Sequence, residues 1–110
     1  MDKEAVQMMS FQLVAHVGEA TAHFTEAIKF ARKGDFEAVD REIKAGDAEI
    51  IEAHNSQTDL LRCEVTGEEI EFSLLLVHAQ DHLMTTIVFE RVAKELIEVY
   101  RELREVRDAK

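Results

Sequence analysis

The chain contains no proline and one cysteine, and only four of its 110 residues are glycine. Average usage would place about five or six prolines in a chain this long. All-β sandwiches and barrels spend Gly and Pro on many tight turns, so this shortage excludes that class. Tryptophan is missing and tyrosine occurs once. The lone Cys63 excludes an internal disulfide and fits a reducing compartment. Cations are scarce: 13 Lys and Arg stand against 23 Asp and Glu, a formal charge of −10. A nucleic-acid backbone calls for clustered Lys and Arg and is not an expected partner. The N-terminal Met1-Asp2-Lys3-Glu4 has neither the basic nor the apolar part of a secretory signal. What is present is 46% apolar and 33% charged residues, too apolar for disorder and suited to long helices with one buried face. The expectation is a cytoplasmic, all-α protein with a single domain over residues 1–110.

The glycines punctuate the chain unequally. Lys33-Gly34-Asp35-Phe36 places basic residues in a last turn, Gly at a helix end and Asp35 as the next N-cap. In Thr66-Gly67-Glu68-Glu69 the spacing of Thr66 and Glu69 is that of a capping box. Gly18 and Gly46 fall inside periodic segments, where each costs roughly 1 kcal/mol. The reading is three helices over about 3–32, 36–62 and 69–108, with short connections that make neighbours antiparallel. Residues 90–110 carry six acidic and six basic side chains, so all the excess negative charge lies in residues 1–89.

Ile70 to Val88 is apolar on nearly every helical face. Such a helix is buried on all sides or lies in a membrane. Asp81 opposes a membrane span, at about 2.5–3.5 kcal/mol. Burial from all sides in a three-helix chain requires other chains, so a homo-oligomer built on the third helix is expected.

Within that apolar run, His78, Asp81 and His82 stand at i, i+3 and i+4 on about one side of the helix. Three readings fit this spacing. The residues could be satisfied core polar groups that fix register. They could chelate a metal, since two imidazoles one turn apart with a carboxylate can do so. Or one histidine could perform covalent chemistry tuned by its neighbours.

The longer string Val77-His78-Ala79-Gln80-Asp81-His82-Leu83-Met84-Thr85-Thr86 narrows the choice, together with Glu52-Ala53-His54-Asn55-Ser56-Gln57-Thr58 and the Lys33-Gly34-Asp35-Phe36 turn. Over almost its whole length the chain resembles the IIA component of the lactose/cellobiose family of the phosphoenolpyruvate-dependent sugar phosphotransferase system. The resemblance implies a homotrimer of three-helix subunits forming a nine-helix bundle. It implies a phosphohistidine phosphotransferase that takes phosphate from the phosphocarrier HPr and passes it to a cysteine of the IIB component. The link to the IIC permease is then indirect. By position the phosphoacceptor is His78, with His82 beside it and Gln80 near the subunit interface. Asp81 from three subunits would converge near the axis on one divalent cation such as Mg²⁺. The Val-His-Ala-Gln form leans toward cellobiose or chitobiose over lactose.

Each residue then has a physical task. A third helix running from 69 puts His78 well inside it, where backbone amides are used in the helix ladder. Phosphate donors are therefore expected from side chains: His82, and Gln57 or Asn55 from another helix. The resemblance also implies a basic residue shortly after Gly18, which this sequence lacks, leaving His23 as its candidate replacement. His16, His23 and His54 otherwise read as packing or surface residues, and Cys63 as structural. Phe11, Phe24, Phe30, Phe36, Phe72 and Phe89 read as core, with one or two left outside. A metal-binding helical bundle using His78, Asp81 and His82 remains the alternative, and an oligomerisation module a third reading.

Overall fold

The computed structural model describes residues 1–109 and contains three helices, α1 (Lys3–Lys33), α2 (Phe36–Val65) and α3 (Leu74–Asp108). They form a rod of 62 × 20 × 19 Å. The first two boundaries follow the sequence signals closely. Asp2 and Asp35 accept hydrogen bonds from the amides of Ala5 and Ala38, and Gly34 closes α1 in the left-handed region at φ 84°.

The start of α3 differs from the expected 69. Thr66 does not open that helix; it closes α2, its hydroxyl donating to the carbonyls of Arg62 and Cys63 at 3.0 and 3.1 Å. Gly67 then turns the chain at φ 88°. The Met1 ammonium donates to the Glu68 carboxylate at 2.8 Å and to the Glu69 carbonyl at 2.9 Å. Residues 68–73 therefore run as an extended connection, and Ser73 is the true N-cap, accepting from the Leu76 amide. The resemblance of Thr66-Gly67-Glu68-Glu69 to a capping box masked Ser73, which has leucine at the position where a box would carry Glu or Gln.

The core is assembled around α1, which packs against both other helices, while α2 and α3 touch each other little. One continuous cluster runs along it, in which the small residues Ala20, Ala53, Ala79 and Ala93 join Leu13, Val17, Phe24, Ile50 and Leu83. Phe24 is fully buried, and Phe11 and Phe72 are the exposed aromatics. Gly46 explains itself here. A Cβ at that position would stand 2.6 Å from the Phe24 ring, so the mid-helix glycine makes room for the largest core side chain. Gly18 has no neighbour within 4 Å and serves no such purpose.

Polar side chains span the gap that α2 and α3 leave. Lys94 reaches Asp47 at 3.0 Å and Arg101 reaches Asp40 at 3.1 Å. Glu90 stands beside Asp47; burial first, then hydrogen bonding to that neighbouring carboxylate, pushes its carboxyl above the usual glutamate range.

The outer side of α3 has no cover. Leu74, Val77, Met84, Val88, Val92, Leu96, Val99, Leu103 and Val106 are all exposed, 75% at Leu74 and 36% at Leu96. They recur every three or four residues, and Asp81 interrupts the row. A continuous apolar stripe of this length marks an interface.

Two expectations follow. Gly18→Ala should stabilise the chain by about 0.5–1 kcal/mol through helix propensity. Gly46→Ala should instead destabilise it by about 1–3 kcal/mol through overpacking against Phe24; urea unfolding of the two variants measures both signs. The raised Glu90 carboxyl holds a proton that the unfolded chain releases more readily. Its contribution is therefore complete below the ordinary glutamate value and is lost as pH rises through the raised value. Raising pH above the ordinary glutamate value should therefore cost Glu90→Gln less measured stability, relative to its value at low pH, than it costs the parent chain.

Candidate functional site

The later start of α3 changes the surroundings of His78. The side chain leaves the second turn of the helix, and helical side chains lean back toward the N-terminus. The ring therefore leans toward a first turn in which the amides of Leu74 and Leu75 have no helical partner. That turn carries no acidic residue, whereas the first turns of α1 and α2 hold Glu4 and Glu37. The expectation that every nearby amide is consumed is thus corrected: the positive end of α3 lies one turn from the ring, and its field favours an anion there.

His78 and His82 are both exposed, and their rings meet edge to face with centroids 4.3 Å apart and planes at 62°. Asp81 is exposed too and lies on the apolar stripe between Val77 and Met84. Among the described residues no three His, Cys, Asp or Glu side chains gather to hold a metal. His78, Asp81 and His82 of one chain therefore do not gather into the chelate that their spacing allowed.

Gln80 sits on the other flank of α3, where its amide nitrogen donates to the Gln57 carbonyl oxygen at 3.3 Å. Of the two α2 candidates Gln57 and Asn55, Gln57 reaches α3, while Asn55 is exposed, as is His54. His23 does not take the place of the missing basic residue. Its Nδ1 lies 2.6 Å from the Glu42 carboxylate, and His16 meets Glu49 at the same distance, so both histidines clasp α1 to α2. Cys63 is half-buried, and hydrogen bonding to the Glu68 carboxylate pushes its thiol above the ordinary range. That keeps it protonated and suits a structural role.

One feature of the site had no signal strong enough to single it out. Between α1 and α3 runs a groove of about 430 Å³ lined by Thr21, Thr25, Asp81, His82, Thr85, Thr86 and Phe89. The Thr21 and Thr86 hydroxyls are 3.2 Å apart across it. Thr21 falls on this wall three residues after Gly18, and no Lys or Arg lines the groove. In sequence, threonines at 21 and 25 are only a pair one turn apart. Their common face becomes visible once α1 and α3 pack side by side.

This arrangement presents two adjoining imidazoles to solvent, near the positive end of a helix and beside an uncovered apolar stripe. Such a site can receive an anionic group from a macromolecular donor, because nothing in the chain encloses it.

Comparison with known proteins gives a consistent result. Residues 8–101 match the family model described as the PTS system, Lactose/Cellobiose specific IIA subunit. The lactose-specific EIIA component of Staphylococcus aureus (strain N315) is 44% identical over 101 residues, covering 92% of this chain and 98% of that protein. The crystal structure of the PTS cellobiose-specific enzyme IIA from Bacillus anthracis superposes with a TM-score of 0.88 at 37% identity, over 96% of this chain and 94% of the other. The IIA(Chitobiose)–HPr complex of the N,N'-diacetylchitobiose branch of the Escherichia coli phosphotransferase system contains a chain matching at 30% identity with a TM-score of 0.76, over 94% and 99% of the two chains.

Proposed function

The chain belongs to the lactose/cellobiose-specific IIA family of the sugar phosphotransferase system, and from that premise we propose that it is a phosphoryl carrier whose acceptor is His78. The observation that carries this reading is the exposed His78–His82 pair one turn from the start of α3. The HPr complex of its Escherichia coli relative supports phospho-HPr as the donor. The recipient is the cysteine of a IIB component, and the transported sugar a β-linked disaccharide of the cellobiose, chitobiose or lactose kind.

The chemistry balances as two in-line transfers. An unprotonated ring nitrogen of His78 attacks phosphorus, and its N–P bond forms as the N–P bond of phospho-HPr breaks. In the second step a cysteine thiolate of IIB forms an S–P bond as the His78 N–P bond breaks, returning neutral imidazole. The bound phosphoryl group brings about −1.5 to −2 charge. The adjoining His82 ring and the first-turn amides of α3 provide the local donors, with Gln80 held by Gln57 on the far flank. Exposure of the ring suits a residue that must meet two partner proteins in turn.

The apolar stripe of α3 supplies the assembly. Three chains joined along it form a homotrimeric nine-helix bundle that covers Val77, Met84, Val88 and the residues beyond. The same packing brings three copies of Asp81 toward one axis, where like charges repel. A hard divalent cation such as Mg²⁺ suits a set of carboxylate oxygens. Asp81 would hold it, and the cation would supply charge neutralisation at the axis. No transfer step depends on it.

No helix among the described residues is long and apolar enough to cross a membrane, which fits a carrier that reaches the permease through IIB and acts in the cytoplasm.

Incubation with phosphoenolpyruvate, enzyme I and HPr, followed by intact mass, tests the acceptor. An acid-labile gain of one phosphoryl group is expected, absent in His78→Ala and retained in His54→Ala; a gain that survives His78→Ala would sink the assignment. Asp81→Leu should keep the trimer, since an apolar axis replaces a repulsive one, while its melting temperature should stop responding to chelator. Light scattering that shows monomers of this variant would contradict the proposed role of Asp81.

A further inference from the structure

At the end of the rod away from His78, the α1–α3 side carries a second polar cluster. Twenty-six residues separate His78 from Arg104, about 39 Å along α3. A small cavity of about 60 Å³ opens there, lined by Ala31, Arg32, Tyr100, Leu103, Arg104 and Arg107. That is room for a few waters or one tetrahedral oxyanion. Three arginines line this cavity, and no carboxylate residue does.

Two of the three are held in place by neutral partners. Arg32 donates through Nε to the Tyr100 hydroxyl at 3.4 Å, which leaves its terminal nitrogens free. Arg104 is half-buried and lies flat against Gly34, so closely that a Cβ there would stand 2.5 Å from Nη2. Gly34 is favoured by its left-handed backbone at φ 84°, and its bare Cα lets the Arg104 guanidinium settle against it. Among the described residues none of Arg32, Arg104 and Arg107 forms an ion pair, whereas Arg62 and Arg101 do. The C-terminal ends of α1 and α3, where Arg32 and Arg107 sit in the last turns, each offer about half an elementary negative charge. Three full positive charges exceed what the two helix ends supply, in a chain whose formal charge is −10.

We propose that Arg32, Arg104 and Arg107, with the Tyr100 hydroxyl, form a binding site for a phosphate-bearing ligand. The planar fork of an arginine fits the oxygens of a phosphate bidentately. Pre-positioning of Arg32 and Arg104 lowers the ordering cost on binding. The site is separate from His78 and does not depend on the carrier reading. The ligand is a free phosphate-bearing metabolite or a phospholipid headgroup; both present the same oxyanion.

Chemical-shift titration of the full-length protein with sodium phosphate, against sodium chloride at matched ionic strength, tests the site. Phosphate should produce saturable shifts at Gly34 and at the Arg104 and Arg107 side chains, and chloride should not. Arg104→Gln should weaken binding at least tenfold. Arg107 is exposed, so Arg107→Gln gives a second reading, with an unchanged melting temperature and a several-fold loss of binding. Arg91→Gln, outside the cavity, should bind as the parent does. Flotation with phosphatidylcholine vesicles containing or lacking phosphatidylglycerol separates the sources. Flotation that needs phosphatidylglycerol and Arg104 assigns the headgroup; saturable phosphate binding without flotation assigns a free ligand. Shifts that never saturate or that chloride reproduces, with no flotation, overturn the proposal, as does saturable binding indifferent to both arginine substitutions.

Discussion

The arrangement of the molecule depends on α1 having two sides to give and α3 having two to cover. Phe24, Leu13 and Val17 of α1 are shared between α2 and α3, and the alanines at 20, 53, 79 and 93 let the helices approach. Once α1 is used this way, α2 is left with little contact to α3. The opposite side of α3, from Leu74 to Val106, has no partner within its own chain. A chain of this size cannot bury both sides of such a helix alone. The fold thus leaves an apolar stripe that a partner chain could cover, and Asp81, next to the histidine His82, interrupts that stripe.

The same geometry reconciles an acidic protein with the handling of an anion. The negative charges are concentrated in residues 1–89, but the α1–α3 groove holds only Asp81 among its lining residues. His78 stands in the second turn of α3, and the first turn carries no carboxylate to cancel the positive end of the helix. His16 and His23 meanwhile occupy Glu49 and Glu42 on the opposite flank of α1. Salt screens the distant exposed carboxylates, so the groups within a few ångströms of the ring, the helix end and Asp81 among them, weigh most there.

Much of this was legible in the residues alone. The scarcity of Gly and Pro gave three long helices, Gly34 and Gly67 marked the breaks, and the His78–His82 string carried the family. Two things were hidden for physical reasons. The start of α3 was misplaced because Thr66 and Glu69 have capping-box spacing, yet Thr66 bonds backward to Arg62 and Cys63; spacing does not reveal the direction of a hydroxyl. The threonine groove was hidden because it is shared between helices whose relative rotation no single-helix pattern encodes. The purpose of Gly46 was invisible for the same reason, since its neighbour Phe24 is 22 positions away in sequence.

That last contact constrains how the chain can diverge. Gly46 and the ring of Phe24 occupy one shared volume, so neither can be exchanged without reference to the other. Among descendants of this sequence, a methyl or larger group at position 46 has room only beside a side chain smaller than phenylalanine at position 24. The two sites should therefore drift as a pair. Gly18, with open space around it, carries no such memory of its neighbours and is free to change alone.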